Sequence, residues 1–175
     1  MRPETPEPTM ATFVIAPTPR IETTYMVICY LDDMAEIVLQ VSLKSTKSSE
    51  ELFRYFADFT TTNEWDPNTV KTELISGEGG IGSKYSNTSK FNGKESSLVY
   101  EVIEYKPNTV IRLRGENKNI TAVDSMVVVD HGDSRTFTYE AKFKLKGLAN
   151  LASPFLAKAF KKLAKDAEVG LRKVL

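Results

Sequence analysis

The sequence holds one cysteine (Cys29), one histidine (His131) and one tryptophan (Trp65). A lone cysteine excludes an internal disulfide framework. One Cys and one His leave a zinc-type site without its usual donors, so neither a metal site nor a cofactor is expected. An excess of charge is also missing: 23 Lys and Arg balance 23 Asp and Glu, and the pI is near 6.6. That argues against a general nucleic-acid binder, which carries a basic face. No stretch approaches the roughly 20 apolar residues that span a bilayer. Nor does the start read as a signal peptide, because Pro17, Pro19, Arg20 and Glu22 separate the apolar patches 13–16 and 25–31. A cytoplasmic protein is the expectation, and the N-x-S/T matches at Asn87 and Asn119 then carry no weight.

At 175 residues with 41% hydrophobic content, one domain with a sizeable core is expected. Residues 1–33 differ from the rest, with prolines at 3, 6, 8, 17 and 19 and frequent threonine. They read as an extended, poorly ordered lead, and Met34 reads as the working start of a domain over 34–175.

Strand periodicity begins at once. Ile37, Leu39, Val41 and Leu43 alternate with Glu36, Gln40 and Ser42. Ser48 and Glu51 form a capping-box pattern, and Leu52, Phe53, Phe56 and Ala57 make a helical stripe behind it. Thr60–Asn63 and Pro67 mark the end of this helical region. From Val70 the period is two, interrupted by turn signals at Gly77–Gly82, Asn92-Gly93, Pro107-Asn108, Asn117–Asn119 and His131–Asp133. Asn92-Gly93 is a strong tight-hairpin signal. Six strands follow, near 70–77, 82–91, 94–105, 109–117, 120–130 and 134–146, joined as an antiparallel meander.

On the last strand Phe137, Tyr139, Ala141, Phe143 and Leu145 share one face, and Thr138, Glu140, Lys142 and Lys144 share the other. One face is therefore buried and one wet. Ser153-Pro154 announces a closing helix as N-cap and first helical residue. Its stripe is Leu156, Phe160, Leu163, Ala167, Leu171 and Val174. Twenty residues at about 1.5 Å each span roughly 30 Å, enough to cross a whole sheet. A long helix after a curved antiparallel sheet packs on its concave face and usually leaves a cavity. The expected class is α+β.

The order of strand, short helices, six-strand meander and long helix resembles the helix-grip fold of the START-like (SRPBCC) superfamily. Ser49–Phe53 through Phe56–Asp58 is similar to that family's first helix, and Trp65-Asp66-Pro67 to its tryptophan-containing exit. Gly80–Tyr85 resembles its glycine turn into the third strand, and Tyr100–Pro107 the end of its fourth. The nearest branch is the polyketide cyclase/dehydrase and lipid transport group, over residues 36–175. The resemblance implies a seven-stranded curved sheet around the C-terminal helix, two short helices after the first strand, and a cavity for hydrophobic ligands. It does not imply one chemistry.

Gly77–Gly82 formally matches G-x-G-x-x-G, but the dinucleotide reading needs a helix to follow, and Ser83–Phe91 alternates as a strand. A flexible hairpin is the better reading. His131 sits in a turn and is read as exposed; Cys29 is given no role. Asp124 interrupts an apolar strand. It is either one half of an outer-face ion pair with Arg112 or a carboxylate inside the cavity with a raised pKa and acid/base capacity. It is the one weak catalytic candidate.

Trp65 either closes the core or lines the cavity mouth. Tyr85, Asn87, Tyr100 and Tyr139 share faces with apolar residues, as ligand-orienting groups or as core residues with water partners. Phe143, Phe155, Phe160 and Leu163 complete the candidate wall. Gly170 inside the last helix is anomalous, since glycine costs about 1 kcal/mol there relative to alanine. The lysines of the last strand and helix make the C-terminal third basic, leaving room for transient contact with an anionic membrane surface.

The reading is therefore a domain that binds, and on the carrier interpretation transports, a small hydrophobic ligand such as a lipid, isoprenoid or polyketide-like molecule. A polyketide cyclase or dehydratase is the alternative, and a START-like protein-interaction module the second. No catalytic constellation is recognisable in the sequence, and the balance leans away from an enzyme.

Overall fold

The computed structural model describes residues 10–14, 24–30, 36–146 and 154–175, with side chains described over 36–146 and 158–175. Strands β1 (Met10–Val14), β2 (Thr24–Tyr30) and β3 (Glu36–Ser45) come first. Helix α1 (Ser49–Ala57), a 3₁₀ turn at Phe59–Thr61 and helix α2 (Thr62–Trp65) follow. Then come β4 (Thr69–Ser76), β5 (Lys84–Phe91), β6 (Lys94–Lys106), β7 (Val110–Glu116), β8 (Ile120–Asp130) and β9 (Arg135–Leu145). Helix α3 (Pro154–Val174) closes the chain.

Among the described residues nine strands form one antiparallel sheet in the order β1-β2-β3-β9-β8-β7-β6-β5-β4. The meander runs in sequence from β4 to β9, and β3 closes it against β9, pairing Ile37 with Phe143 and Val41 with Tyr139. The seven-stranded helix-grip sheet is thus β3 to β9. The proline-rich lead expected to lie outside the fold instead supplies a hairpin, β1 and β2, on the β3 edge. Five of the seven residues of its second arm, Thr-Tyr-Met-Val-Ile-Cys-Tyr, are β-branched or aromatic and favour a strand.

Local signals match local structure. The Ser48 side chain accepts from the Glu51 amide at 3.1 Å, and the Glu51 carboxylate accepts from the Ser48 amide at 2.8 Å, completing the capping box. Asn92 (φ 50°) and Gly93 (φ 77°) turn β5 into β6, the left-handed pair that a type I′ hairpin requires. The segment expected to end the helical region, 60–63, carries the 3₁₀ turn and the start of α2. Thr62, with Thr72 opposite, is buried there, and their hydroxyls lie 2.7 Å apart.

The inner face of the sheet carries Val41, Leu43, Tyr100, Val102, Ile111, Leu113, Met126 and Phe137, all buried. Helix α1 sets Phe56 against Phe137, with ring centroids 3.9 Å apart. Helix α3 sets Phe160, Ala164, Ala167 and Leu171 against the same face. These contacts divide into two apolar clusters, one around Phe56, Trp65 and Tyr100, the other around Leu39, Ala141 and Phe160.

Gly170 explains its own presence. A Cβ on it would stand 1.6 Å from the Trp65 carbonyl oxygen and 2.7 Å from the Trp65 carbonyl carbon. The exit of α2 therefore lies directly on the backbone of α3, an approach only glycine allows.

Candidate ligand-binding site

A cavity of about 190 Å³ lies between the sheet's inner face and α3, and its lining draws on both apolar clusters. Alternation places its sheet wall. Leu39 and Val41 come from β3, Asn87 and Phe91 from β5, Leu98 and Tyr100 from β6, and Tyr139 and Phe143 from β9. The lid is the α3 stripe Phe160, Leu163, Ala164 and Ala167, in which two alanines leave the room that larger side chains would fill. Trp65 and Asp66 close one end beside Phe59 and Thr62. Lys90 and Ser96, flanking the β5–β6 turn, also border the cavity, and the Lys90 amide donates to the Asn68 carbonyl at 2.8 Å, two residues from Asp66.

Of the candidate residues, Trp65, Asn87, Tyr100, Tyr139, Phe143, Phe160 and Leu163 all border this one space. Trp65 is 2% exposed and stands edge-on to Tyr139, with centroids 5.2 Å apart. Its Nε1–H is buried without a hydrogen-bond partner. The Phe160 ring lies 4.8 Å from Phe91 and 5.4 Å from Phe143. Asn87 is partly committed, because its Nδ2 donates to Thr72 Oγ1 at 2.8 Å.

Tyr85 does not border the cavity. It lies two residues before Asn87 on β5 and pairs directly with Tyr100 across β6, and Phe59 packs on both rings, with centroids 5.7 Å from Tyr85 and 5.0 Å from Tyr100. Sharing a strand face did not suffice, because a residue from the 3₁₀ turn covers Tyr85. The Tyr85 ring borders instead a shallow groove with Phe53, Leu74 and Tyr105. The side chain of Phe155 lies outside the described residues.

Asp124 is the most informative residue of the wall. The β7–β8 register pairs it with Leu113, and pairs Arg112 with Ser125. The outer-face ion pair with Arg112 is therefore not formed: a one-residue offset in a period-two strand turns Asp124 inward. Arg112 stays on the other face, where its Nε donates to Ser125 Oγ at 3.0 Å and its Nη1 pairs with Glu104. Asp124 is 5% exposed, and its Oδ1 has no hydrogen-bond partner. Burial pushes its carboxyl up to about 7, the nearby Asp66 charge adds to the rise, and the Tyr100 hydroxyl, which donates to it, opposes the rise. Neighbouring Tyr100 and Tyr139 are in turn pushed well above the ordinary phenol range, chiefly by burial and next by the Asp124 charge.

Two features of this end were not foreseen. Asp66 lines the cavity, with its carboxylate accepting from the Asn68 amide at 2.9 Å and from Thr69 Oγ1 at 2.9 Å. Burial raises its pKa more than these bonds lower it. Gly115 is a notch: a Cβ there would stand 2.9 Å from the Tyr100 ring. The missing side chain lets that ring lie over β7 and reach Asp124 on β8. The sequence signal was a glycine inside a strand, which marks a close approach. Among the described residues there is no cluster of His, Cys, Asp and Glu able to hold a metal ion, and no helix is long and apolar enough to cross a membrane.

A curved antiparallel sheet gripping a C-terminal helix over an apolar cavity defines a START-like helix-grip domain. The family model described as polyketide cyclase / dehydrase and lipid transport matches residues 36–175, and the chain belongs to that family. None of the curated proteins matches the chain. Among solved structures, the Zhui aromatase/cyclase from Streptomyces sp. R1128 is similar, with a TM-score of 0.65 at 11% identity, over 79% of this chain and 93% of that one. A START superfamily protein from Mycobacterium smegmatis gives a TM-score of 0.59 at 15% identity, over 79% of this chain and 99% of that one. Major latex-like protein 151 from Panax ginseng gives 0.53 at 15%, over 75% and 95%. At such identities the likeness is one of fold.

Proposed function

We propose that this protein binds a small, mostly apolar molecule bearing one polar group, in the cavity under α3. One observation carries this reading: a space of about 190 Å³ walled by aromatic and aliphatic side chains contains a buried, incompletely paired carboxylate. Burying an apolar ligand gains about 25 cal/mol per Å² removed from water, while the polar end fixes its orientation. A dry apolar cavity of about 150 Å³ already holds benzene, so the ligand's buried part is one or two rings or a short branched chain. The family description supports a lipid or polyketide-like compound, and sequestration supports carriage.

The test is native mass spectrometry of freshly purified protein, with solvent extraction, on wild type and Ala164→Phe. A co-purifying small molecule in wild type, absent from a folded Ala164→Phe, is the expected result. Equal loading of both would refute the location of the site.

A second reading, an enzyme of the cyclase or dehydratase type, is favoured by Asp124 alone. A carboxyl held near 7 with Tyr100 against it is able to give and take a proton at neutral pH. Turnover lost in Asp124→Asn while binding survives would select this reading.

A further inference from the structure

We infer that the polar end of the cavity is built for a cation, so that the ligand is a small molecule carrying a protonated amine on an aromatic or aliphatic body. The inference rests on the cavity-binding reading above and adds the charge of the ligand.

The argument is one of unmatched charge. Asp124 from β8 and Asp66 from the exit of α2 border one greasy space, and the Asp66 charge acts on Asp124. A buried carboxylate normally has a cationic or multiply hydrogen-bonded partner. The groups acting on Asp124 are Asp66 and the Tyr100 hydroxyl, and no cation is among them. Those acting on Asp66 are Asn68, Thr69 and another carboxylate, Asp166 of α3. Asp166 is paired with Lys162 at the surface. Among the described residues the one basic residue on the cavity wall, Lys90 of β5, is largely exposed and pairs with Glu95 at 3.5 Å. Tyr139 of β9 and Tyr100 of β6 add phenols that burial keeps neutral.

The polar end therefore presents acidic groups and neutral hydroxyls, and among the described residues no cation acts on Asp124 or Asp66. Around it stand the rings of Trp65, Tyr100 and Tyr139. An aromatic face attracts an ammonium through the ring quadrupole. An anionic ligand would meet two like charges, and a neutral one would leave Asp124 either unpaired or protonated. An ammonium supplies the missing donors and the missing charge together.

The test uses three probes of one shape: benzylamine, benzyl alcohol and benzoate. Binding to the full chain is followed by Trp65 fluorescence and by thermal shift. Benzylamine is expected to bind at least about tenfold more tightly than the alcohol, a difference of about 1.4 kcal/mol, with no binding of benzoate. The preference should vanish in Asp124→Asn. A measurement on wild type alone stands beside it. Benzylamine binding near neutral pH should release protons, because the ammonium draws Asp124 into its ionised form, and titration calorimetry in buffers of different ionisation enthalpy reads this directly. Tighter binding of the alcohol, or benzylamine binding without proton release, would overturn the cation inference and leave the cavity reading standing. Failure of all three probes to bind would overturn both.

Discussion

Replacing Gly170 by alanine sets two physical effects against each other and so tests the packing of α3 directly. In an isolated helix the change is favourable by about 1 kcal/mol, because alanine loses less backbone entropy on folding than glycine. Here the added Cβ meets the Trp65 carbonyl oxygen at 1.6 Å and Pro67 Cδ at 3.4 Å. The obstacle is backbone, which has no rotamer to move to, so helix and α2 exit must separate by about 2 Å to reach ordinary contact distance. Overpacking of this kind costs about 1–3 kcal/mol, and an immovable neighbour places it at the upper end. The expected net loss is about 2 kcal/mol, which for a chain of this length lowers Tm by roughly 4–8 °C. Thermal and urea unfolding, read by circular dichroism and by Trp65 fluorescence, measure it. Val169→Ala, at the neighbouring half-exposed position, is the control and should change little. If Gly170→Ala were neutral or more stable, the close approach of the Trp65 backbone to α3 would be wrong.

Asp124 holds more protons folded than unfolded, since its carboxyl is raised to about 7 from an ordinary 3.8. Its contribution is therefore unpenalised below about pH 4 and is lost progressively as pH rises through 7. Asp124→Asn should match wild type near pH 4 and be the more stable protein near pH 8; urea midpoints at the two pH values decide it. Gly115→Ala forces the Tyr100 ring off β7, where the clash stands at 2.9 Å. It should cost about 1–3 kcal/mol and weaken ligand binding together, whereas a loss of stability with unaltered binding would remove Tyr100 from the site. Thr72→Val leaves the Asn87 amide without the acceptor it now has at 2.8 Å. A loss of about 1–3 kcal/mol by denaturant unfolding is expected, and a silent substitution would mean that water replaces the hydroxyl.

The local order of this fold was legible because each element obeys a short-range rule. Period two marked β4 to β9, the Ser48–Glu51 box marked α1, and Asn92-Gly93 marked its hairpin. What period two cannot supply is the phase of a strand whose two faces are both partly apolar. On β8, Val123, Val127 and Val129 face outward while Ala122, Met126 and Val128 face inward, so the inward turn of Asp124 was settled only by register with β7. Asp66 was read as part of a helix exit because its role depends on a cavity that forms from distant strands. Tyr85 was misplaced for a similar reason: Phe59, from outside the sheet, packs over it. The β1–β2 hairpin was hidden by the prolines around it, since composition over a window outweighed five good strand residues.

The pairing of β3 with β9 has a consequence for how the protein is made. These strands lie about a hundred residues apart in sequence, with the Ser42 and Thr138 hydroxyls meeting at 2.9 Å across that span. The meander can assemble hairpin by hairpin as it leaves the ribosome, but its β9 edge stays open until the chain folds back on its beginning. Such non-local closure is slow and leaves apolar strand faces wet in the interval. The helix that roofs the cavity follows every strand of the sheet in the chain. The cavity therefore cannot close over its inner face until the whole meander has been made and α3 has emerged behind it.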